Sequence, residues 1–197
     1  MGGGDSEILA DRTRTGADDA ALWRRFRGIS GDDVKVSALQ RSGVSGPVPE
    51  QFSHHLNRLI PSDDRRGEAL MQDIWRIGMQ RMTLAPGQSP WSTPLPSKHF
   101  ADRLHRFSWL PDLLDQGNEG TKRAVRFVDE WIQSHGNFNG FSWRLAPTSV
   151  RCWNWLLCGR EVFETGSTSE REVRLDCLVR QLRYISGQVD AATDPKA

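Results

Sequence analysis

The chain has 197 residues, 37% of them hydrophobic and 26% charged, which is the balance of an ordinary domain with enough apolar side chain for one core. Its 26 Lys and Arg against 25 Asp and Glu leave a net charge of +1, which argues against nucleic acid or an anionic membrane as the principal partner. The amino terminus lacks the apolar run of a secretory signal and no uncharged stretch approaches the roughly 18 residues of a membrane span, so the expected product is soluble, not exported and cytoplasmic by default.

In chain order, residues 1–16 are Gly-rich and polar and read as disordered. Residues 17–27 place Ala20, Trp23 and Phe26 at helical spacing behind Asp18 and Asp19, which predicts a short helix. Residues 29–61 mix Gly, Ser, Pro and charge without a sustained period and read as an extended arm. The neighbouring His54 and His55 diverge on any regular structure and make a poor metal pair. Ser62 then offers an N-cap ahead of Asp63 and Asp64, opening a helix to about Asp73. Residues 74–84 carry β-branched and long apolar side chains around Gly78 and predict a short β-ribbon.

Prolines 90, 94 and 96 lead into the segment 96–114, capped by Ser97 and predicted as one helix with two useful faces. Phe100, Leu104, Phe107, Leu110 and Leu114 form the packing face. Ala101, His105, Ser108, Trp109 and Asp112 gather on the other, and Pro111 should kink the helix near Phe107. Gly117 and Gly120 suggest a turn, followed by an amphipathic helix over 121–135. A Gly/Asn loop delivers Trp143. A helix over about 148–165 is apolar nearly all round, with Trp153 among its core residues, and a last helix spans about 169–189. Should the Trp153 helix pack against sequence beyond this chain, it would leave an apolar patch here.

Cys152, Cys158 and Cys177 are odd in number and lack metal-ligand spacing, so they read as small buried hydrophobes in a reducing compartment; no metal and no cofactor is expected. Arg151 falls inside the apolar helix, and a buried guanidinium calls for a carboxylate, either an internal Asp or Glu or that of an acidic sugar. Tyr184, the single phenol, has no acid or base beside it in sequence and is not assigned a catalytic role. Eight tryptophans suit either a core or a carbohydrate wall.

Three segments read together, PSKHFADRLHRFSWLPDLL from Pro96, FVDEWI from Phe127, and Trp143 with Arg151, Asn154, Trp155 and Leu156, resemble the helical amino-terminal region of the heparinase II/III-like polysaccharide lyases. The resemblance covers roughly residues 62–187. The elements themselves give an all-α fold in the main, a series of antiparallel helical hairpins over 62–189 behind an irregular arm at 1–61, with a tail at 190–197; the resemblance implies that the hairpins form a partial α/α toroid. It further implies β-elimination on a uronic-acid-containing polysaccharide such as a glycosaminoglycan, with the catalytic Asn, Tyr and His on a missing toroid half and β-sandwich domain, so that no catalytic residue is assigned here. Relatives in that family are often periplasmic. The residues expected to line a substrate wall are His105, Trp109, Trp143, Arg151 and Trp155. The stretch between Trp143 and Arg151, RLAPTSV, lacks the acidic residue many of those lyases carry. The competing expectation is a noncatalytic helical module that binds glycan or protein.

Overall fold

The computed structural model describes residues 44–54, 56, 58, 61–138 and 140–193, all within a compact unit spanning 36–197. The helix expected at 17–27 and His55 lie outside the described residues. Helix α1 spans Asp64–Met71, and its cap is Asp63 rather than Ser62: the Asp63 carboxylate accepts the Arg66 N–H at 3.1 Å. The expected ribbon follows. Strands β1, Ile74–Ile77, and β2, Gln80–Thr83, pair antiparallel with Ile74 opposite Thr83 and Ile77 opposite Gln80. Gly78 at φ +60° reverses the chain, and the cross-strand pair Trp75 and Met82 is buried.

Ser97 caps α2, Lys98–Leu104, by accepting the Phe100 N–H at 3.0 Å. The single helix expected over 96–114 is broken rather than kinked: residues 105–109 form a turn, and α3 restarts at Leu110–Leu114. Pro111 supplies the reason. It has no N–H to donate and its ring collides with the carbonyl of residue 107 in a continuous helix, whereas at the second position of a new helix it fits. Phe107 takes φ +58°, a left-handed conformation costly for an aromatic residue, and burial of its ring in the core offsets that cost.

Helix α4 spans Gly117–His135, so Gly120 belongs to the helix, whereas Gly117, at φ +69°, opens it with the expected turn from α3. A Cβ on Gly120 would lie 2.1 Å from the Leu113 carbonyl oxygen, so this glycine lets α4 lie directly on α3. The helix expected over 148–165 is two: α5, Leu145–Leu157, and α6, Gly159–Phe163. Helix α5 is not buried all round, because Trp153 is 50% exposed. Helix α7 runs through Thr168–Thr193.

Among the described residues there are seven helices and one hairpin, a mainly helical fold. The pairs α1 with α3, α3 with α4, α4 with α6 and α5 with α7 pack together. Their shared core holds Trp75, Phe100, Leu104, Phe107, Leu110, Phe127, Trp131 and Trp155. Each fully buried Leu or Phe contributes roughly 1.5–3 kcal/mol, so these rings dominate the favourable side of folding. The arm over 44–58 lies against the helices: Phe52 meets Phe163 edge-on at 5.4 Å, Arg58 pairs with Asp115 at 2.7 Å, and Arg183 donates to the Pro47 carbonyl at 2.5 Å. No helix of the described residues is long and apolar enough to cross a membrane.

Candidate functional site

Arg151 organises the polar interior. It projects from α5 with no exposed surface, and its partners are all neutral, which corrects the expectation of a carboxylate. Nε donates to Gln181 Oε1 at 2.6 Å, Nη1 to the carbonyls of His105 and Ser142 at 3.1 and 3.0 Å, and Nη2 to Thr148 Oγ1 at 3.2 Å. The guanidinium also lies over the Trp131 ring, 4.2 Å from its centroid. A delocalised, weakly hydrated cation tolerates this arrangement because each acceptor dipole points at it. Burial still lowers its pKa to about 10, leaving it charged near neutral pH.

His105 ends α2, and its Nδ1 accepts the Trp131 indole N–H at 2.8 Å. An accepting Nδ1 requires the neutral ring with its proton on Nε2. Burial, followed by the neighbouring His135 and Arg151, holds its pKa well below the usual histidine value. The His105 and His135 rings are 4.8 Å apart, and burial brings His135 down to about 4. Both imidazoles are therefore uncharged at neutral pH, as proximity to a buried cation requires.

Of the five residues expected to form a wall, His105 and Arg151 meet directly, and Trp143 reaches the same cluster by donating to the His135 carbonyl at 2.9 Å. Trp155 stands beside it, edge-on to Trp131 at 5.4 Å, with its indole N–H unpartnered. Trp109 lies farther off, against Phe107 and Trp75 at 5.0 Å each, and donates to the Leu104 carbonyl. All five are at most 5% exposed. Tyr184, its pKa raised by partial burial, packs against Trp143 and Phe138.

Sequence reasoning missed Gln181, Thr148 and Ser142, whose neutral side chains or carbonyls carry no periodic signal. It also missed Arg174, whose Nε and Nη2 bind the two Asp129 oxygens at 2.6 and 2.7 Å while Nη1 bonds the carbonyls of Val162 and Thr165. An open cleft of about 600 Å³ borders this pair; Lys122, Arg126 and Arg174 face Asp129, Glu130 and Glu170 there, so it favours neither sign of ligand. Among the described residues no group of three or more His, Cys, Asp or Glu could hold a metal ion. Cys152, Cys158 and Cys177 are free and buried thiols.

No protein-family model matches the chain, and no solved structure matches it. It is 32% identical over 168 residues to FtsZ-localized protein C of Caulobacter vibrioides (strain NA1000 / CB15N). The match takes in 83% of this chain and 29% of that protein, so the chain spans under a third of its relative's length.

This match overturns the lyase resemblance. The reading as the amino-terminal portion of a heparinase II/III-like polysaccharide lyase is withdrawn, with its uronate β-elimination, its glycosaminoglycan or other acidic polysaccharide partner, and its expected toroid half and β-sandwich domain. The glycan-binding module is withdrawn as well. The reason is physical: what the three motifs share is Phe, Trp and Leu recurring every three or four residues, which tight packing of helical hairpins demands whatever the protein does.

Proposed function

We propose that this chain is a helical docking module of the bacterial division machinery and associates with FtsZ. The observation that carries the reading is the 32% identity to FtsZ-localized protein C across most of the chain. The interior supports it. The conspicuous polar groups, Arg151, His105, Arg174 and Asp112, are spent on holding elements together: Asp112, 1% exposed, accepts the Asp63 N–H at 2.8 Å and pairs with Arg66. We assign His105, Trp109, Trp143, Arg151 and Trp155 to that framework. For the finer architecture we propose a partial α/α ring over 62–189, entered by the arm at 1–61; the tail expected at 190–197 starts within α7, which continues to Thr193.

The test is co-sedimentation of the purified chain with GTP-polymerised FtsZ from the same organism, paired with imaging of a fluorescent fusion in dividing cells. Enrichment in the polymer pellet and a band at the division site are expected. A chain left in the supernatant and spread evenly through the cell would sink the proposal.

A further inference from the structure

Six of the eight tryptophans, Trp75, Trp91, Trp109, Trp131, Trp143 and Trp155, are buried or half-buried; Trp153 is 50% exposed on α5. The whole outward arc of that helix is uncharged. Leu145, Ala146, Ser149, Val150, Trp153 and Leu156 fall on it, and Leu145 is 42% exposed. An outward helical face ordinarily carries charge, because apolar surface left in water is unfavourable. Thirteen residues make this face about 20 Å long, the span of a short peptide helix or strand.

Its rim is basic. Arg144 precedes the first turn and Arg160, whose side chain is 79% exposed, follows the last. Asn154 donates to the Arg106 carbonyl at 2.8 Å, which brings Arg106 alongside the helix. Two carboxylates answer the three guanidiniums of Arg106, Arg144 and Arg160: Asp102 bridges Arg106 and Arg144 at 2.7 and 2.6 Å, and Glu164 stands 4.0 Å from Arg160. Glu161 is turned to Arg58. An exposed tryptophan on an uncharged face with arginines at its two ends has the composition of an interface centre, and surplus positive charge selects a negative partner.

We propose that the outer face of α5, centred on Trp153, is the surface that docks on FtsZ, and that it receives an acidic FtsZ segment whose apolar side chains cover the indole. This rests on the FtsZ reading and adds the place and the chemistry of contact. The mixed-charge cleft beside Arg174 has neither the apolar centre nor the net sign for the same role.

The test uses the full chain and GTP-polymerised FtsZ. Trp153→Ser should weaken co-sedimentation roughly tenfold or more, the loss usual for truncating an aromatic at an interface centre, with far-UV circular dichroism and melting temperature unchanged. Arg160→Glu should weaken it less, and the wild-type affinity should fall as salt rises. Met79→Ser, a fully exposed apolar residue in the hairpin turn, should bind as wild type. If neither wild type nor any variant sediments with polymer, the FtsZ reading fails and this surface with it. If wild type binds and Trp153→Ser binds equally, the FtsZ reading stands and the α5 surface is overturned. Self-association in sedimentation velocity that Trp153→Ser abolishes, with FtsZ binding intact, would make the occupant a second copy and overturn the proposal.

Discussion

Arg151 and Gln181, thirty residues apart on α5 and α7, are joined by a 2.6 Å hydrogen bond from Nε to Oε1. The Gln181 amide nitrogen in turn donates to the Cys177 carbonyl at 3.2 Å, which fixes the direction of the accepting oxygen. One neutral side chain thus takes the position where a buried cation would ordinarily require a carboxylate.

Arg151→Ala should therefore lower unfolding free energy by about 3–5 kcal/mol, since it leaves a cavity and orphans the acceptors of Gln181, His105 and Ser142. Arg151→Lys should recover only part, because an ammonium cannot span the same fork of acceptors. Urea titration followed by tryptophan fluorescence checks both, and a loss below about 1 kcal/mol for Arg151→Ala would contradict this role.

Acid should destabilise the fold in a defined window. The folded pKa of His135 is lowered to about 4 from an unfolded value near 6.5, so the unfolded chain binds more protons between them. The contribution of His135 is complete above pH 6.5 and is lost progressively down to about pH 4; His105, lowered in the same direction, adds to the slope. Urea midpoints measured from pH 7.5 to 4 should fall, and His135→Phe should flatten the profile.

Two glycine substitutions should have opposite signs. Gly120→Ala forces a methyl group against the Leu113 carbonyl and should cost about 2 kcal/mol or more despite better helix propensity. Gly187→Ala, in α7 with nothing within 4 Å of the added carbon, should stabilise by about 0.5–1 kcal/mol. Thermal melts of the two variants decide it.

The three thiols should resist alkylation. Burial raises Cys152 and Cys158 to about 12 and Cys177 to about 11, leaving little thiolate at neutral pH. Reaction with a maleimide should be slow in the native protein and complete in 6 M guanidinium chloride, about the denaturant level that unfolds even hyperstable domains. Rapid native labelling would mean that α5 and α7 separate readily.

Local signals were legible where chemistry and backbone act within a few residues. The hairpin around Gly78, the Ser97 cap and the buried stripe of Ala124, Phe127, Val128 and Trp131 follow from turn, capping and periodicity rules alone. The break at residues 105–109 was visible in Pro111, yet its size was not: whether a proline bends or ends a helix depends on what its neighbours gain elsewhere, and Phe107 gains a place in the core. The partners of Arg151 come from four separate segments, so no spacing rule could find them.

By itself the sequence determined a mainly helical chain with one short ribbon and little net charge, because period, caps and composition are properties of neighbours. Tertiary structure alone decided which tryptophan faces water and which charges are buried. Trp153 and Trp155 are two residues apart on one helix and alike in chemistry; contacts with Phe107, Trp131 and Phe163, on other elements, hold Trp155 in the core, while Trp153 on the outer arc of α5 stays at the surface.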